Sequence, residues 1–303
     1  MSYIAKNGRL YTSGASEALT LLDDKFSVNK SYSKGDSCIY NDYLWKFTSD
    51  KPAGEWDNSV VEQCRIMDFV APLLFNNAGA HNAIYRGKNL GTSVTTAQYN
   101  AIKAGTFDDL YIGDYWVING VTWRIADFDY FLNCGDRPCT THHAVIVPDT
   151  CLYNHVMNDT NTTNGGYVGS KMYTEGLEQA KTTIKAAFSG HVLKHRELLV
   201  NATVGGKPFG WDWFDSEVEL MNEVMIYGSV AWGAHDSNGY NVASGNGQFH
   251  LFSHDHSRAH NRNNWWLRDV ASAALFANVR ADGGAYSDSA SYSFGVRPAF
   301  CIS

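Results

Sequence analysis

Asn264-Trp265-Trp266-Leu267-Arg268-Asp269-Val270 and Gly295-Val296-Arg297-Pro298-Ala299-Phe300-Cys301-Ile302 are two apolar runs close to the C-terminal end of the sequence. Both are rich in aromatic and β-branched residues and are bounded by polar stretches, the pattern of buried strands. Neighbouring residues on a strand point to opposite faces, so Trp265 and Trp266 cannot share a side. One is expected in the core, the other against a helix or the rim. Arg268 and Arg297 are expected to be buried arginines paired with Asp. Gly295 gives room for a close approach before the last strand, and Pro298 restricts that strand to an edge or a bulge. The segment between the two runs is then free to be loop.

The rest of the chain fits a packed protein. It has 303 residues, long enough for one large domain or two to three small ones. Charged residues make up 18%, below the roughly 25% of average globular proteins, while Gly (27), Tyr (17) and Trp (9) are plentiful. That balance excludes a disordered chain and a coiled coil. The net charge of -7, with no basic stretch, argues against a nucleic-acid partner. No apolar run reaches the roughly 18 residues of a membrane span, so no membrane insertion is expected. The first residues, MSYIAKNGRLYTSG, lack the apolar core of a secretory signal. A protein of this kind acting outside a cell would leave by lysis or another non-signal route, and a virion component and a plain cytoplasmic protein both fit that expectation. The six cysteines are sparse for a disulfide framework and are expected to be mostly reduced and buried.

Residues 1–65 read as a small β-rich module. Lys34 to Tyr40 and Tyr43 to Phe47 alternate around Asn41-Asp42 as strand, turn and strand. Its Gly-Asp, Tyr and Trp-Asp pattern resembles small carbohydrate-binding modules, and an oligomerisation role is the other reading. Residues 15–22 suit a short helix. Residues 66–303 form the second domain. In it, Thr95-Thr-Ala-Gln98 matches a capping box that starts a helix ending at Gly105. Asp114 to Ile118, Asn119-Gly120 and Val121 to Ile125 give the strongest hairpin signal, because Asn-Gly accepts the positive φ angles of a type I′ turn. Two main helices are expected near 171–188, with Tyr173, Leu177, Ala180, Ile184 and Phe188 on one face, and near 217–226. The fold class is therefore α+β.

Three constellations could carry chemistry. Cys134, Cys139, His142 and His143 are zinc-ligand types, but the spacing is wide. His250, His254, His256 and His260 surround Asp255, and on a strand His254 and His256 would share a face. No third ligand is identifiable, so neither cluster is assigned a metal and no cofactor is expected. Asp212, Asp215, Glu217 and Glu219 would suit a glycosidase pair, yet a helix start explains them through the helix dipole. No G-x-S-x-G elbow, H-E-x-x-H motif or P-loop occurs.

The C-terminal run resembles the C-type-lectin-like domain of formylglycine-generating-enzyme-like proteins, phage receptor-binding proteins and the variable proteins of diversity-generating retroelements. His81 to Lys88, Tyr111 to Trp116 and Gly166 to Lys171 look like segments of prophage tail proteins. The resemblance covers about residues 70–303. It implies a C-type-lectin-like domain behind the β-rich module, no catalysis, and a homotrimer that contacts other tail proteins and a host-cell surface protein or glycan. It places the protein in the virion, on a phage tail, or outside the cell after lysis. The oxidase branch of this superfamily needs reactive cysteines, whereas Cys301 has no partner Cys nearby in sequence. A formylglycine-generating-enzyme-like oxidase, a glycan-active enzyme and a bacterial surface lectin are the alternatives.

Residues 271–294 contain no Lys, Glu, Gln, Met or Trp. Adenine-directed mutagenesis of Asn codons cannot produce those residues, and it can produce every residue present. The segment thus resembles a diversified region of retroelement variable proteins. A ligand face is expected over about 261–294, with Tyr286, Tyr292 and Phe294 as rigid apolar area and Ser287, Asp288 and Asn278 as adaptable hydrogen-bonding groups. Arg280 and Asp282 would set charge selectivity. Ser272 and Leu275 join the face, Asn261, Asn263 and Asn264 edge it, and all thirteen are expected to be exposed on one surface.

Overall fold

A computed structural model describes residues 25–64, 76–233 and 247–303, together with the backbone of two short strands, β1 (Tyr3–Lys6) and β2 (Arg9–Thr12), which pair antiparallel. The helix expected at 15–22 and the expected boundary at 65/66 lie outside the described residues. The architecture is mixed α+β, in two compact units, Met1–Phe75 and Asn76–Ser303.

In the first unit β3 (Ser37–Tyr40), β4 (Tyr43–Phe47) and β5 (Val61–Gln63) form an antiparallel sheet in that order. Asn41 and Asp42 supply the left-handed turn, with φ of 50° and 65°. The aromatic residues form the module's own core. Tyr32 stacks on Phe47 with centroids 4.4 Å apart, and Trp56 stacks on Tyr40 at 4.0 Å.

In the second unit α1 (Ala78–Asn82) and α2 (Thr96–Ala104) precede the first sheet. Thr95 and Gln98 exchange both hydrogen bonds of the capping box, at 3.2 and 2.9 Å, and Gly105 closes α2 with φ of 70°. β6 (Tyr115–Ile118) and β7 (Val121–Phe128) are the Asn119-Gly120 hairpin. β8 (Ala144–Pro148) continues their sheet, and β9 (Tyr153–Val156) leads away to the other one. A single π-helical turn, Met172–Gly176, runs into α3 (Glu178–Ala187), so the helix expected at 171–188 is regular only in its second part. The long strands β10 (His195–Val204) and β11 (Lys207–Ser216) pair as a ribbon.

The stretch 217–226 departs from the reading of one helix. Val218–Leu220 is a strand, β12, and only Glu223–Tyr227 is helical, as α4. The cause is Asn222, whose side chain accepts from Met225 N at 2.8 Å and starts the helix there. Asp212 and Asp215 lie on β11 and Glu219 on β12, so the helix-dipole account of these carboxylates is wrong.

After α5 (His250–His254) the chain ends in β13 (Trp265–Val270), β14 (Leu275–Val279), β15 (Ala285–Ser289), β16 (Ser293–Val296) and β17 (Pro298–Ile302). Two five-stranded sheets result, in the orders β12-β17-β8-β7-β6 and β15-β14-β13-β16-β9. Residues 271–294, expected as loop, thus contain two whole strands and the start of β16. β16 runs parallel to β13, with Trp265 beside Gly295, where a Cβ would collide with Cys151 Sγ. The chain changes sheets at Arg297. β17 is not an edge strand, since β12 and β8 flank it; Pro298 is tolerated because it is the first residue of the strand.

Both Trp265 and Trp266 are fully buried, so neither shields a rim. Trp265 and Leu267 enter the core shared with β7, β8 and α3, while Trp266 and Val270 enter a second core with Tyr167, Leu199 and Leu220. β13 is covered on both faces, which the even distribution of its apolar residues allows. Arg268 pairs with Glu197, not with an Asp. Among the described residues Arg297 contacts no carboxylate. Its guanidinium donates to the carbonyls of Pro148 and Arg258, both at 2.8 Å, and packs against Trp265 and Phe252. Burial lowers its pKa to about 10. Cys38, Cys139 and Cys301 are buried free thiols.

Candidate functional site

The β14–β15 hairpin sets the geometry of the expected ligand face. Directly opposed residues share a face, and the register pairs Asn278 with Tyr286 and Phe276 with Asp288. These four lie on the Trp266 side of the sheet. Farther across it, Phe294 packs on Trp266 at 4.8 Å and on Tyr292 at 5.9 Å. Tyr286 and Tyr292 are exposed, at 43% and 51%. Arg280 lies over the Tyr286 ring at 5.8 Å, and the Asn278 amide donates to Asp288 at 3.1 Å.

The thirteen expected residues do not form one exposed surface. Asn278 is fully buried and its Oδ1 has no partner among the described residues; Ser287 is buried too. Alternation turns Leu275 and Ser287 to the opposite side of the sheet from Tyr286. Asp288, Phe294, Ser272 and Leu275 are half-buried. Arg280 and Asp282 are exposed in the hairpin loop, where Asn264 Oδ1 accepts from Ala281 N at 3.1 Å. Asn261 is half-buried and Asn263 exposed. The exposed heart of the face is therefore aromatic, with the loop charges at one end.

Trp232 belongs to the face and was not expected there. It is 45% exposed and meets Tyr286 edge-on at 5.7 Å. Its loop is tied down by the buried Glu223 carboxylate, which accepts from Ala231 N, Trp232 N and Gly233 N at 2.8–3.0 Å. Asp269 Oδ2 in turn accepts from Glu223 N at 2.8 Å. The sequence offers no local signal for this, because the contact depends on α4 ending where it does.

The sequence-level chemical clusters resolve differently. His143 is buried, receives Phe131 N–H on Nε2 and donates from Nδ1 to Thr141 O, so both ring nitrogens are engaged. Burial lowers its pKa to about 4. His254 and His256 are not alternate strand residues. His254 closes α5 and His256 opens the 3₁₀ turn His256–Ala259. Among the described residues no group of three or more His, Cys, Asp or Glu is placed to hold a metal. The glycosidase-type carboxylates are spread apart in role: Asp215 pairs with Arg137, Arg196 and Lys194, Glu217 pairs with Lys185, and Glu219 is buried.

Glu219 belongs to a buried polar cluster. Arg268 pairs with Glu197, His195 Nε2 lies 3.0 Å from Glu197, and Tyr167 donates to Glu219 at 2.8 Å. The cavity between them has room for nothing larger than a water molecule. Burial, with Glu197 nearby, pushes Glu219 up to about 7, and burial likewise pushes Asp269 up to about 7. A carboxyl raised above its unfolded value favours the native state below the unfolded pKa, and that stability is lost as pH rises through about 7. Glu219→Gln removes this dependence while keeping an acceptor for Tyr167. Between pH 5 and 8 the wild type should lose up to about 3 kcal/mol more unfolding free energy than the variant, read from urea denaturation at both pH values. An equal pH response in the two proteins would show that Glu219 is charged throughout.

Residues 216–303 match a domain of unknown function, DUF6273. The match spans β12 to β17 and so includes Glu219, Arg268, Arg297 and the whole aromatic face. No curated protein and no solved structure matches the chain.

Proposed function

We propose that the chain is a non-catalytic ligand-binding protein whose second unit is a C-type-lectin-like domain, placed at the tip of a phage or prophage tail. The observation that carries the reading is the set of exposed aromatic rings, Tyr286 on β15, Tyr292 in the turn before β16 and Trp232 on the loop after α4. Exposed aromatic side chains give large contact area at low entropic cost. The absence of Lys, Glu, Gln, Met and Trp over 271–294 supports diversification of the same surface. The ligand is a host-cell surface protein or glycan, and a homotrimer would add avidity to weak contacts.

The test is host-cell binding by Tyr286→Ala, Tyr292→Ala and the double variant. Each single change should weaken binding severalfold, and the double change should abolish it, with the melting temperature nearly unchanged. Undiminished binding by the double variant would rule out this face. Light scattering on the same samples checks the trimer.

A further inference from the structure

His250 and His254 are one helical turn apart on α5, and both rings reach solvent. Their centroids are 6.3 Å apart. His250 Nδ1 lies 2.7 Å from Asp127 Oδ2, which also accepts from His250 N at 3.0 Å. A carboxylate accepts, so the ring proton is on Nδ1 and Nε2 keeps its lone pair. His254 Nε2 lies 2.8 Å from Asn82 O, a carbonyl that only accepts, so its proton is on Nε2 and Nδ1 keeps the lone pair.

The two second partners are themselves joined. Asn82 Nδ2 donates to Asp127 Oδ1 at 3.2 Å and to Phe128 O at 3.0 Å, and Asn82 Oδ1 accepts from Phe128 N at 2.9 Å. One buried frame on α1 and β7 therefore fixes the tautomers of both imidazoles. Metal-bound histidines are held this way, with the second ring N–H given to a carboxylate or a backbone carbonyl.

We propose that His250 Nε2 and His254 Nδ1 bind one divalent transition-metal ion of the zinc, nickel and copper class, with the remaining positions left to water or to a donor group of a ligand. Imidazole suits these ions, whereas magnesium and calcium need oxygen donors that the pair does not supply. A ring centroid lies about 3 Å from a metal bound at 2.0–2.1 Å, so a small inward turn of the two rings closes them on one ion. Asp255 does not compete, since its carboxylate is engaged by Ser257 and Arg258.

Calorimetry on the full chain, without an affinity tag and after treatment with a chelator, tests the site. Copper, nickel and zinc should each bind at one ion per chain, and magnesium should not. His250→Ala and His254→Ala should each weaken binding at least tenfold, whereas His256→Ala should leave it unchanged. The copper-loaded protein should show two nitrogen couplings by electron paramagnetic resonance, and each single variant one. His254 is exposed, so the metal-free His254→Ala variant should melt close to the wild type, whereas His250→Ala removes a donor from the buried Asp127 carboxylate and should melt lower. Equal binding by the double variant, or no binding of any of the three ions, would overturn the assignment.

Discussion

Glu197→Ala will destabilise the second unit by about 3–5 kcal/mol, the range for removing one partner of a buried ion pair. Glu197 is buried between Arg268 and His195, and its carboxylate is held down to about 2 by the Arg268 charge and the hydrogen bonds it receives, against the opposing effect of burial. Without it the Arg268 guanidinium stays buried, and its Nη2 already lacks a partner among the described residues. Glu219 is close enough to feel Arg268, so it will ionise more readily in the variant and offset part of the loss. The double variant Glu197→Ala/Arg268→Met should recover a substantial share of the stability, since an apolar pair can replace a buried ionic one. Chemical denaturation of the two proteins checks this. A loss below about 1 kcal/mol in the single variant would mean that the pair is hydrated rather than buried.

Trp265→Ala and Trp266→Ala will each cost about 3–5 kcal/mol. Each removes a fully buried indole, and each indole N–H is satisfied, by Ala259 O at 3.1 Å and His155 O at 2.9 Å. The two losses fall in different cores. Trp266→Ala should also lower ligand binding, because Phe294 rests on its ring, whereas Trp265→Ala should act on stability alone. A thermal midpoint unchanged in either variant would contradict the burial of that side.

Local rules made part of this fold legible. The Thr95 capping box, the Asn119-Gly120 hairpin and the Asn41-Asp42 turn are short-range devices, and each appears where its residues stand. The failures are long-range. Burial of both Trp265 and Trp266 required knowing that β13 has a core on each side. The strand at Val218–Leu220 exists because β17 pairs with it from eighty residues away, a contact that outweighs the helical look of Glu217 to Ile226. The candidate face was legible as a region, and Tyr286 and Tyr292 are exposed. Asn278 and Ser287 were misplaced because a segment expected as loop is a hairpin, which turns alternate residues inward. Trp232 stayed hidden because only the Glu223 carboxylate brings it to Tyr286.

The change of sheet at Arg297 bears on how the protein is made. β17 is the strip to which β12 and β8 both attach, although its residues are translated after both. Until residues 298–302 leave the ribosome, β8 offers Val145 and Ile146 along an unsatisfied strand edge. Such an edge is where nascent chains pair with one another. Folding of the second unit is accordingly a late event, and the window just before it is when a chaperone has most to protect.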